Sequence, residues 1–429
     1  MSAPITVALL GGGTVGASVA NLLIANSSDL TARVGREIKL TGVAVRELNK
    51  ARDGISQDLI TTDAQTLAAS GADIVIELIG GIEPAKSLIE TAIANGSSVV
   101  TANKALIAAH GAHLHALAQT KGVDLYYEAA VAGAIPLLKP LRESLAGDKV
   151  RRLLGIVNGT TNFILSKMTD EGADYSEVLA QAQALGYAEA DPTADVEGFD
   201  AAAKAAILAS LAFHTDVTSD DVYREGMSQV TADDVEAAKS LGYVIKLLAI
   251  AEITDDETGV IVRVHPAMVP ETHPLASVRD AYNAVFVEAK AAGQMMFYGR
   301  GAGGDPTASS VLGDVVTAAR NRVAGSVGPS HSTYANLKIH DIGDAVTSYY
   351  LNLRVADESG VLAAISNEFA KHGVSIEAVR QDGEATDARL IIRTHTATDS
   401  KLRNTVEALR NMSAVREVLG VMRVEGGAA

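Results

Sequence analysis

A lone lysine within an apolar run is the first residue whose setting suggests chemistry. Lys204 lies in the stretch Ala-Ala-Ala-Lys-Ala-Ala-Ile-Leu at 201–208, directly after an acid-rich loop at 186–200. Apolar neighbours predict burial, and burial lowers the pKa of a lysine so that it can exchange a proton near neutral pH. Asp200 precedes Lys204 by four positions and shares its helix face. The alternative is an exposed ion pair between these two residues that only stabilises the helix.

A second lysine follows a short apolar strand. Lys104 ends the sequence Thr-Ala-Asn-Lys at 101–104, directly after the apolar residues of a predicted strand. The carboxyl ends of parallel strands face the ligand crevice of an open α/β sheet. Lys104 is therefore a candidate for contact with a cofactor or substrate. A solvated surface lysine is the alternative.

A glycine-rich turn near the N-terminus could bind phosphate groups. Gly11, Gly13 and Gly16 have the spacing Gly-x-Gly-x-x-Gly between a predicted strand at 5–10 and a predicted helix. In that context glycines let the backbone approach a pyrophosphate at the helix N-terminus, and Thr14 and Val15 belong to the same turn. The pattern predicts a dinucleotide-binding site, with a plain tight turn as the alternative.

Arg46 follows the second predicted strand, where NAD-specific enzymes usually carry an acid for the ribose hydroxyls. An arginine at this place can pair with a 2′-phosphate instead. The position therefore predicts NADP, and NAD stays possible because Glu47 is adjacent. The alternative is a solvated charge at the end of a strand.

The elements that must position these residues follow from the apolar pattern. Short apolar strands alternate with helical stretches in the first third of the chain, which predicts an α/β fold with a Rossmann-type NAD(P)-binding domain. These strands are predicted at 5–10, 40–45, 74–78, 98–101 and 124–127. A mixture of helices and strands then predicts an α+β substrate and dimerisation domain. Its helices are predicted at about 175–186, 198–213 and 232–240, and its strands at 151–157, 243–253, 259–264 and 284–288.

The last third of the chain contains a further helix and a small module. The helix opens at 301–307 and runs to about 319, and a stretch rich in Gly, Ser, Asn and His follows at 321–347. The last 80 or so residues have the order βαββαβ. These elements are predicted at 349–355, 361–372, 374–379, 388–394, 400–410 and 416–424.

Composition excludes several classes of protein. A chain of 429 residues exceeds one domain. Lys and Arg total 36 against 52 for Asp and Glu, so the formal charge is −16 and no nucleic-acid partner is expected. The absence of cysteine excludes disulfides and thiol chemistry. No stretch approaches about 18 uninterrupted apolar residues and no basic signal-peptide region is evident, so we expect a cytoplasmic protein without a membrane partner.

The histidines do not predict a metal site. His110, His113 and His115 belong to one predicted alanine-rich helix without a matching carboxylate. His265 and His273 each precede a proline in an extended stretch, which predicts loop structure. We expect all five to be core or surface residues.

Together these motifs resemble the homoserine dehydrogenase family, in its long form with a C-terminal ACT domain. The resemblance covers essentially the whole chain. It rests on four segments of this sequence: 101–104, 155–165 with its Asn-Gly-Thr-Thr-Asn at 158–162, the acid loop leading into Asp200 and Lys204, and Gly-Gly-Asp-Pro-Thr-Ala at 303–308.

The resemblance implies interconversion of L-homoserine and L-aspartate 4-semialdehyde with NAD(P) as hydride carrier. It implies that Lys104 and Lys204 flank the reacting carbon as catalytic residues, and we expect Lys204 to transfer the proton. The remaining implied contacts form three groups. The substrate is held by Glu189, Asp195 and Asp200; the cofactor lies against Gly186 and Gly304; a sodium ion is bound by Glu128 and the backbone carbonyls of Val131, Gly133 and Ile135.

The resemblance also implies a regulatory role for the C-terminal module. The domains are expected at 1–130 together with 305–320 for the dinucleotide, 131–304 for substrate and dimerisation, 321–347 as linker, and 348–429 as the ACT-like module. We expect the module to fold separately and to bind threonine in a homodimer or homotetramer. The alternative is that it only strengthens oligomerisation.

Three rival functions are weighed against this interpretation. An aspartate-semialdehyde dehydrogenase requires a thiol nucleophile, which a chain without cysteine cannot provide. Another two-domain NAD(P) oxidoreductase acting on a small polar alcohol or imine stays open, although the C-terminal module argues against it. A non-catalytic amino-acid sensor with a nucleotide-binding domain is the third possibility.

Overall fold

The computed structural model describes residues 3–48, 54–384 and 387–427, and it packs into two compact units. The first unit consists of Met1–Gly159, Ala203–Asp221 and Ala281–Leu337. The second consists of Thr160–Ala202, Val222–Asp280 and Lys338–Ala429. The chain passes from one unit to the other within two helices, Gly159–Glu171 and Phe199–Phe213.

A six-stranded parallel sheet forms the centre of the first unit. Its strands are short and apolar because helices cover both faces, and every residue of Ile74–Glu77 is buried. In spatial order the strands are Ile60–Thr61, Ile38–Ala44, Ile5–Leu10, Ile74–Glu77, Ser98–Thr101 and Leu125–Tyr126. This strand order is that of a Rossmann domain, so the predicted fold class is confirmed.

Helices surround the parallel sheet and complete its core. They are Thr14–Ala25, Ser27–Val34, Ala64–Ala68, Ala85–Ala94, Lys104–Lys121 and Gly304–Ala324. The last of these is distant in sequence, yet its buried residues Val311, Val315 and Ala318 join the same apolar core as the first strand. The chain therefore returns to the first domain after leaving it.

The first unit also contains a group of antiparallel strands. Tyr282–Ala289 pairs with Val150–Ile156 on one side and with Gly293–Arg300 on the other. Gly293 adopts φ 75° at the turn before the last strand, a conformation that favours glycine. Short helical turns at Glu128–Ala130 and Pro140–Ser144 precede these strands.

The second unit is built on a longer, mostly antiparallel sheet. Its strands, each pairing with the next, are Tyr243–Ile253, Gly259–Pro270, Val415–Val424, Val346–Ala356, Asp387–Thr394 and Ile376–Glu384. Short strands Tyr223–Arg224 and Lys338–Ile339 also pair with Gly259–Pro270, and Ala397–Thr398 pairs with Val346–Ala356. The helices are Tyr175–Ala184, Thr193–Val196, Ala232–Ser240, Val361–Lys371 and Asp399–Arg410. The predicted βαββαβ order is confirmed.

The C-terminal module shares a sheet with the rest of the second unit, and its separate folding stays a prediction. Its last strand, Val415–Val424, runs parallel to Gly259–Pro270, so the two parts share one sheet. Directly after that strand, the Glu425 carboxylate accepts a hydrogen bond at 3.1 Å from Arg263, which is completely buried. The prediction of independence relied on the glycine- and serine-rich composition of 321–347, and composition does not report which strands pair.

Several elements differ from the sequence predictions. The helix expected to end near 319 continues to Ala324, so the first residues of the predicted linker are helical. The helix Gly159–Glu171 and the strand Gly293–Arg300 had not been predicted. His265 lies fully buried within Gly259–Pro270 and not in a loop. In the part of the chain that the structure describes, no helix combines the length and the apolarity needed to cross a bilayer.

Candidate active site

The phosphate turn, residues 11–16, joins the first strand to the helix Thr14–Ala25. Gly11 has φ 110°, and a Cβ atom there would lie 2.6 Å from the carbonyl group of Leu78. A Cβ on Gly16 would lie 1.9 Å from the Gly11 carbonyl oxygen. Gly13 precedes the helix and has open space around it. Two glycines are therefore required by packing within the turn, and the third leaves the helix N-terminus accessible to a pyrophosphate.

A cleft of about 620 Å³ opens beside the phosphate turn. It is lined by residues 11–13, 44–47, Thr62, Ala64, Leu78, Ile79 and Pro84. Arg46 and Glu47 are exposed on its wall, just beyond the strand Ile38–Ala44. The cleft lies at the carboxyl edge of the parallel sheet, where such folds bind dinucleotides. Arg46 thus shares a cleft with the phosphate turn, as the NADP prediction requires.

Gly304 lies against the same turn. It is the first residue of the helix Gly304–Ala324, and a Cβ there would lie 2.8 Å from the Ser18 hydroxyl and 3.3 Å from Cγ2 of Thr14. This close approach explains a glycine at that position. It also brings the start of a second helix to the phosphate turn, and the contact of Gly304 with the cofactor stays a prediction.

The buried acid Glu77 organises the strand ends next to the cleft. One carboxylate oxygen accepts hydrogen bonds from the backbone N–H groups of Ile79 at 2.7 Å and Gly80 at 3.0 Å. The other accepts the Thr101 hydroxyl at 2.6 Å. Since Thr101 ends the neighbouring strand, one side chain holds the cleft loop and the segment that leads to Lys104. Sequence reasoning missed Glu77, although an acid at a strand end before Gly-Gly was a usable signal.

Lys104 is the first residue of the helix Lys104–Lys121. Asn103 caps this helix by accepting the N–H of Leu106 at 3.1 Å, and its side-chain amide donates to the Gly81 carbonyl at 2.6 Å. The lysine side chain is half-buried. The Thr-Ala-Asn-Lys segment therefore fixes where the helix begins and ties Lys104 to the loop that follows Glu77.

Lys204 is buried in the first unit, with 8% of its surface exposed. It belongs to the helix Phe199–Phe213, and its Nζ donates a hydrogen bond to the Val157 carbonyl at 2.6 Å. Val157 directly follows the strand Val150–Ile156. The burial expected from the apolar neighbours is observed, and one of the groups that hold the amine is the Val157 carbonyl.

The acids expected to bind substrate lie in the second unit. Asp200 is buried, Asp195 is half-buried in the short helix Thr193–Val196, and Glu189 is exposed. The Gln183 side chain donates to the Glu189 carbonyl at 3.1 Å and so braces the acid loop. Gly186 has φ 76° just beyond the helix Tyr175–Ala184. The functional roles of these four residues stay predictions.

Glu128 has a structural task in the loop expected to bind a cation. Its carboxylate accepts the backbone N–H groups of Leu137 at 2.5 Å, Leu138 at 2.7 Å and Lys139 at 2.9 Å. Its own N–H donates to Asp314 at 2.8 Å. Three of the four or so acceptor positions of a carboxylate are therefore used.

The intervening turn has a fixed shape. Ala132 and Gly133 have φ 57° and 54°, and a Cβ on Gly133 would lie 2.4 Å from the Gly301 carbonyl oxygen. Successive left-handed residues turn the backbone sharply, and carbonyl oxygens are the ligands that hard cations prefer. Binding of a monovalent ion by the carbonyl groups of Val131, Gly133 and Ile135 stays a prediction.

Two histidines of the helix Lys104–Lys121 have different surroundings, one buried and one exposed. His115 is buried against Tyr127, and burial lowers its pKa to about 3, so it is neutral at physiological pH. His113 contacts the Glu90 carboxylate at 2.9 Å, a partner that the sequence had not indicated because it comes from the preceding helix. Within residues 3–48, 54–384 and 387–427, no group of three or more acids and histidines could hold a metal.

The Rossmann sheet, its phosphate turn and the cleft at its carboxyl edge are those of a dinucleotide-dependent oxidoreductase. The same unit contains the half-buried Lys104 and the buried Lys204. The chain is 54% identical to the homoserine dehydrogenase of Corynebacterium glutamicum over 98% of this chain and 95% of that protein. It belongs to the homoserine dehydrogenase family, and it is an oxidoreductase acting on a CH–OH group with NAD(P).

Family profiles and solved structures agree with this membership. The profiles describe a homoserine dehydrogenase NAD-binding domain at 11–128, homoserine dehydrogenase at 136–316 and an ACT domain at 349–413. A homoserine dehydrogenase structure from Thiobacillus denitrificans has a TM-score of 0.93 and 43% identity, over 99% of this chain and 98% of that one. A hyperthermophilic archaeal homoserine dehydrogenase in complex with NADPH has a TM-score of 0.64 and 25% identity, over 77% of this chain and 100% of that one.

Proposed function

We propose that Lys204 transfers the proton when this chain interconverts L-homoserine and L-aspartate 4-semialdehyde. The observation that carries the proposal is the buried Lys204 amine, held at 2.6 Å by the neutral carbonyl of Val157. Bound NAD(P) supplies the hydride acceptor in oxidation and the hydride donor in reduction. The protein must therefore bind a small zwitterion, orient its hydroxyl carbon and move one proton.

Lys204 acts as a general base in oxidation and as a general acid in the reverse direction. Its neutral amine accepts the hydroxyl proton, and its ammonium form returns a proton to the aldehyde oxygen. The hydrogen bond to Val157 fixes where the Lys204 amine lies in its helix. Burial excludes water that would compete for the same proton.

Lys104 and the acid loop supply the remaining contacts. Lys104 stabilises the developing alkoxide charge from the start of its helix. Glu189, Asp195 and Asp200 bind the α-ammonium group of homoserine, because carboxylates form strong charge-assisted hydrogen bonds with ammonium groups. Replacing each acid by its amide should raise the KM for homoserine. An unchanged KM would show that the acid replaced does not bind the substrate.

NADP is the preferred hydride carrier in this proposal. Arg46 lines the cleft of the phosphate turn, and a guanidinium can bind a 2′-phosphate through two hydrogen bonds. The archaeal relative in complex with NADPH supports the same choice. NAD is the alternative because Glu47, which suits ribose hydroxyls, lines the cleft as well.

A sodium ion at the turn 131–135 would order this part of the chain, which lies between Lys104 and Lys204 in the sequence. Its ligands would be the carbonyl oxygens of Val131, Gly133 and Ile135. The Glu128 carboxylate would be the fourth ligand, since the three N–H groups that it accepts leave about one acceptor position for the ion. Replacing sodium by choline in the assay buffer should then lower activity without altering the far-ultraviolet spectrum.

The C-terminal module regulates this activity in response to threonine. The support is the ACT domain at 349–413 and its exposed first strand-to-helix turn at 357–362. The alternative is a purely oligomeric role in a homodimer or homotetramer, in which case millimolar threonine would leave the enzyme unaffected. We also predict a role in threonine, methionine and isoleucine biosynthesis, which the growth requirements of a deletion strain would test. The predicted cytoplasmic location would be tested by cell fractionation.

The proposal is tested by replacing each lysine with methionine. Lys204→Met and Lys104→Met should lower kcat by about 10²–10⁴, the usual effect of losing general acid–base help. NADPH binding, followed by its fluorescence, should be retained. Lys86→Met is the matched control, since Lys86 is a surface residue paired with Glu90 at 3.6 Å. Near-normal turnover by Lys204→Met would show that the amine is structural.

A further inference from the structure

A second buried lysine lies in the second unit, outside the machinery described so far. Lys246 occupies the strand Tyr243–Ile253 with 2% of its surface exposed. Its Nζ donates hydrogen bonds to the Asn162 side-chain oxygen at 2.9 Å and to the Val278 carbonyl at 2.6 Å. A buried ammonium costs free energy unless its hydrogen bonds are satisfied, so a lysine kept here has a specific task.

The partner Asn162 belongs to the Asn-Gly-Thr-Thr-Asn segment, to which no role has yet been given. Its side-chain nitrogen donates to the Asp280 carbonyl at 2.9 Å. Lys246 therefore holds the carbonyl of Val278, and Asn162 holds the carbonyl of Asp280. Asp280 has φ 53°, a left-handed conformation that aspartate adopts more readily than most residues but less readily than glycine, and the Asn162 amide holds its carbonyl.

The same segment fixes where a helix begins. Asn162 is the fourth residue of the helix Gly159–Glu171. Gly159 is pressed against the following backbone, since a Cβ there would lie 2.8 Å from the Ala281 carbonyl oxygen. The first turn of this helix is thus held at Asn162 and confined at Gly159, which leaves its start little freedom to shift.

Val157, two residues before that helix, provides the carbonyl that accepts the hydrogen bond from Lys204. The direction of this carbonyl depends on how the chain enters the helix. Asn162 lies five residues after Val157, so its hydrogen bonds to Lys246 and Asp280 act within the segment that sets this direction.

We propose that Lys246 is a positioning residue for Lys204, acting through Asn162 and the start of the helix Gly159–Glu171. The inference rests on the proposed proton transfer by Lys204. In this proposal the Asn-Gly-Thr-Thr-Asn segment connects Lys246 to the Val157 carbonyl. That carbonyl in turn orients the amine of Lys204.

The charges around Lys246 give the proposal a pH signature. Burial lowers the pKa of Lys246 to about 7, with the nearby Arg279 acting in the same direction and with Asp170 and Asp280 opposing it. Below this pH the ammonium forms strong charge-assisted bonds to Asn162 and Val278, and above it the neutral amine forms weaker ones. Part of the pH dependence of kcat should therefore originate at Lys246.

The test compares Lys246→Met with Leu248→Ala in the full-length enzyme. Lys246→Met should lower kcat about 10- to 100-fold, the scale expected when a reactive group is misplaced by about an ångström. It should also change the pH profile of kcat and leave NADPH affinity unchanged. Leu248 is fully buried two positions further along the same strand, so Leu248→Ala reports what lost stability alone does to turnover.

Asn162→Ser completes the design, because it shortens the acceptor and keeps the lysine. It should reproduce the loss of kcat, and the double variant with Lys246→Met should lose no more than the stronger single variant. It also carries the test alone if Lys246→Met does not fold.

A wild-type kcat and pH profile in Lys246→Met, multiplicative effects in the double variant, or an equal loss of kcat in Leu248→Ala would each overturn the proposal. Normal turnover in Lys204→Met would refute the proposed function instead, so the two failures are distinguishable.

Discussion

Replacing Glu425 by glutamine tests whether the ACT module belongs to the core of the second unit. The Glu425 side chain is 3% exposed, and its carboxylate accepts hydrogen bonds from Arg263 at 3.1 Å and from the Thr347 hydroxyl at 3.2 Å. Arg263 comes from the strand Gly259–Pro270, outside the module. Glutamine keeps the size and one acceptor oxygen, removes the negative charge and replaces the other oxygen by an amide donor.

The magnitude follows from the burial of Arg263. Burial opposes its charge, and the carboxylates of Glu252 and Glu425 overcome that effect and raise the pKa of Arg263 above its ordinary value. Removing one partner of a buried ion pair costs about 3–5 kcal/mol. Since Glu252 stays at 2.5 Å and the amide still accepts a hydrogen bond, we expect a loss of about 2–3 kcal/mol for Glu425→Gln.

Urea unfolding followed by circular dichroism measures this loss, because the chain has no tryptophan to report by fluorescence. The control is Glu417→Gln. Glu417 pairs with Arg354 at 2.6 Å with both side chains about half exposed, and such pairs contribute less than about 1 kcal/mol. If the two variants unfold at the same urea concentration, the pair between Arg263 and Glu425 does not join the module to the rest of the unit.

Three further predictions concern the cofactor, the module and pH. Arg46→Asp should lower kcat/KM for NADP about 10- to 100-fold more than for NAD, and equal effects on both cofactors would remove Arg46 from the site. A chain truncated before Thr347 should melt at a lower temperature than the full chain, because it loses the strand that pairs with Gly259–Pro270. An unchanged melting curve would show that the module folds separately, as the sequence predicts. The pKa of Lys246 lies near 7 in the folded state against 10.5 in the unfolded state, so between these values only the unfolded chain holds the proton and stability should rise with pH. This contribution is at most about 1.4 kcal/mol per pH unit, and Lys246→Met should lack it. The measurement is the change in unfolding free energy between pH 7 and pH 9, which should be smaller in the variant than in the wild type.

The sequence predicts the parallel sheet well because its strands carry a strong local signal. Each is a continuous apolar run, and the glycine turn marks the first passage from strand to helix. The partner of a strand carries no such signal, because alternation with a period of two specifies a face and not a neighbour. The pairing of Val415–Val424 with Gly259–Pro270, separated by about 150 positions, was therefore not predictable.

His265 shows how a local rule can mislead. The proline that follows it predicts a loop, yet both residues lie in a long strand. On one side of that strand, Tyr223–Arg224 pairs at Arg263 and Val264, and Val415–Val424 pairs at Ala267 and Met268. Pro266 falls between these two pairings, where its missing N–H costs no ladder hydrogen bond.

The candidate site was predictable where one lysine stood out against apolar residues. Lys204 was found in this way, and its burial is observed. Lys246 presents the same pattern in Tyr-Val-Ile-Lys-Leu-Leu-Ala-Ile at 243–250 and was missed, because a strand position did not suggest chemistry. Glu77 and Asn103 hold backbone groups of the loop 79–81 by hydrogen bonds. The sequence does not predict these bonds, because they form only when neighbouring strands lie side by side in the folded sheet.

The shared sheet changes how regulation of this enzyme has to be tested. An effector can shift an equilibrium only by its differential affinity for two states, so a regulatory role needs a variant that alters affinity and keeps both states intact. Truncation does not meet this condition, because it removes the strand that pairs with Gly259–Pro270 and the carboxylate that neutralises Arg263. Loss of threonine sensitivity in a truncated chain would then report unfolding as readily as regulation. Substitutions in the exposed turn 357–362 leave the sheet whole, so threonine sensitivity measured there separates the two.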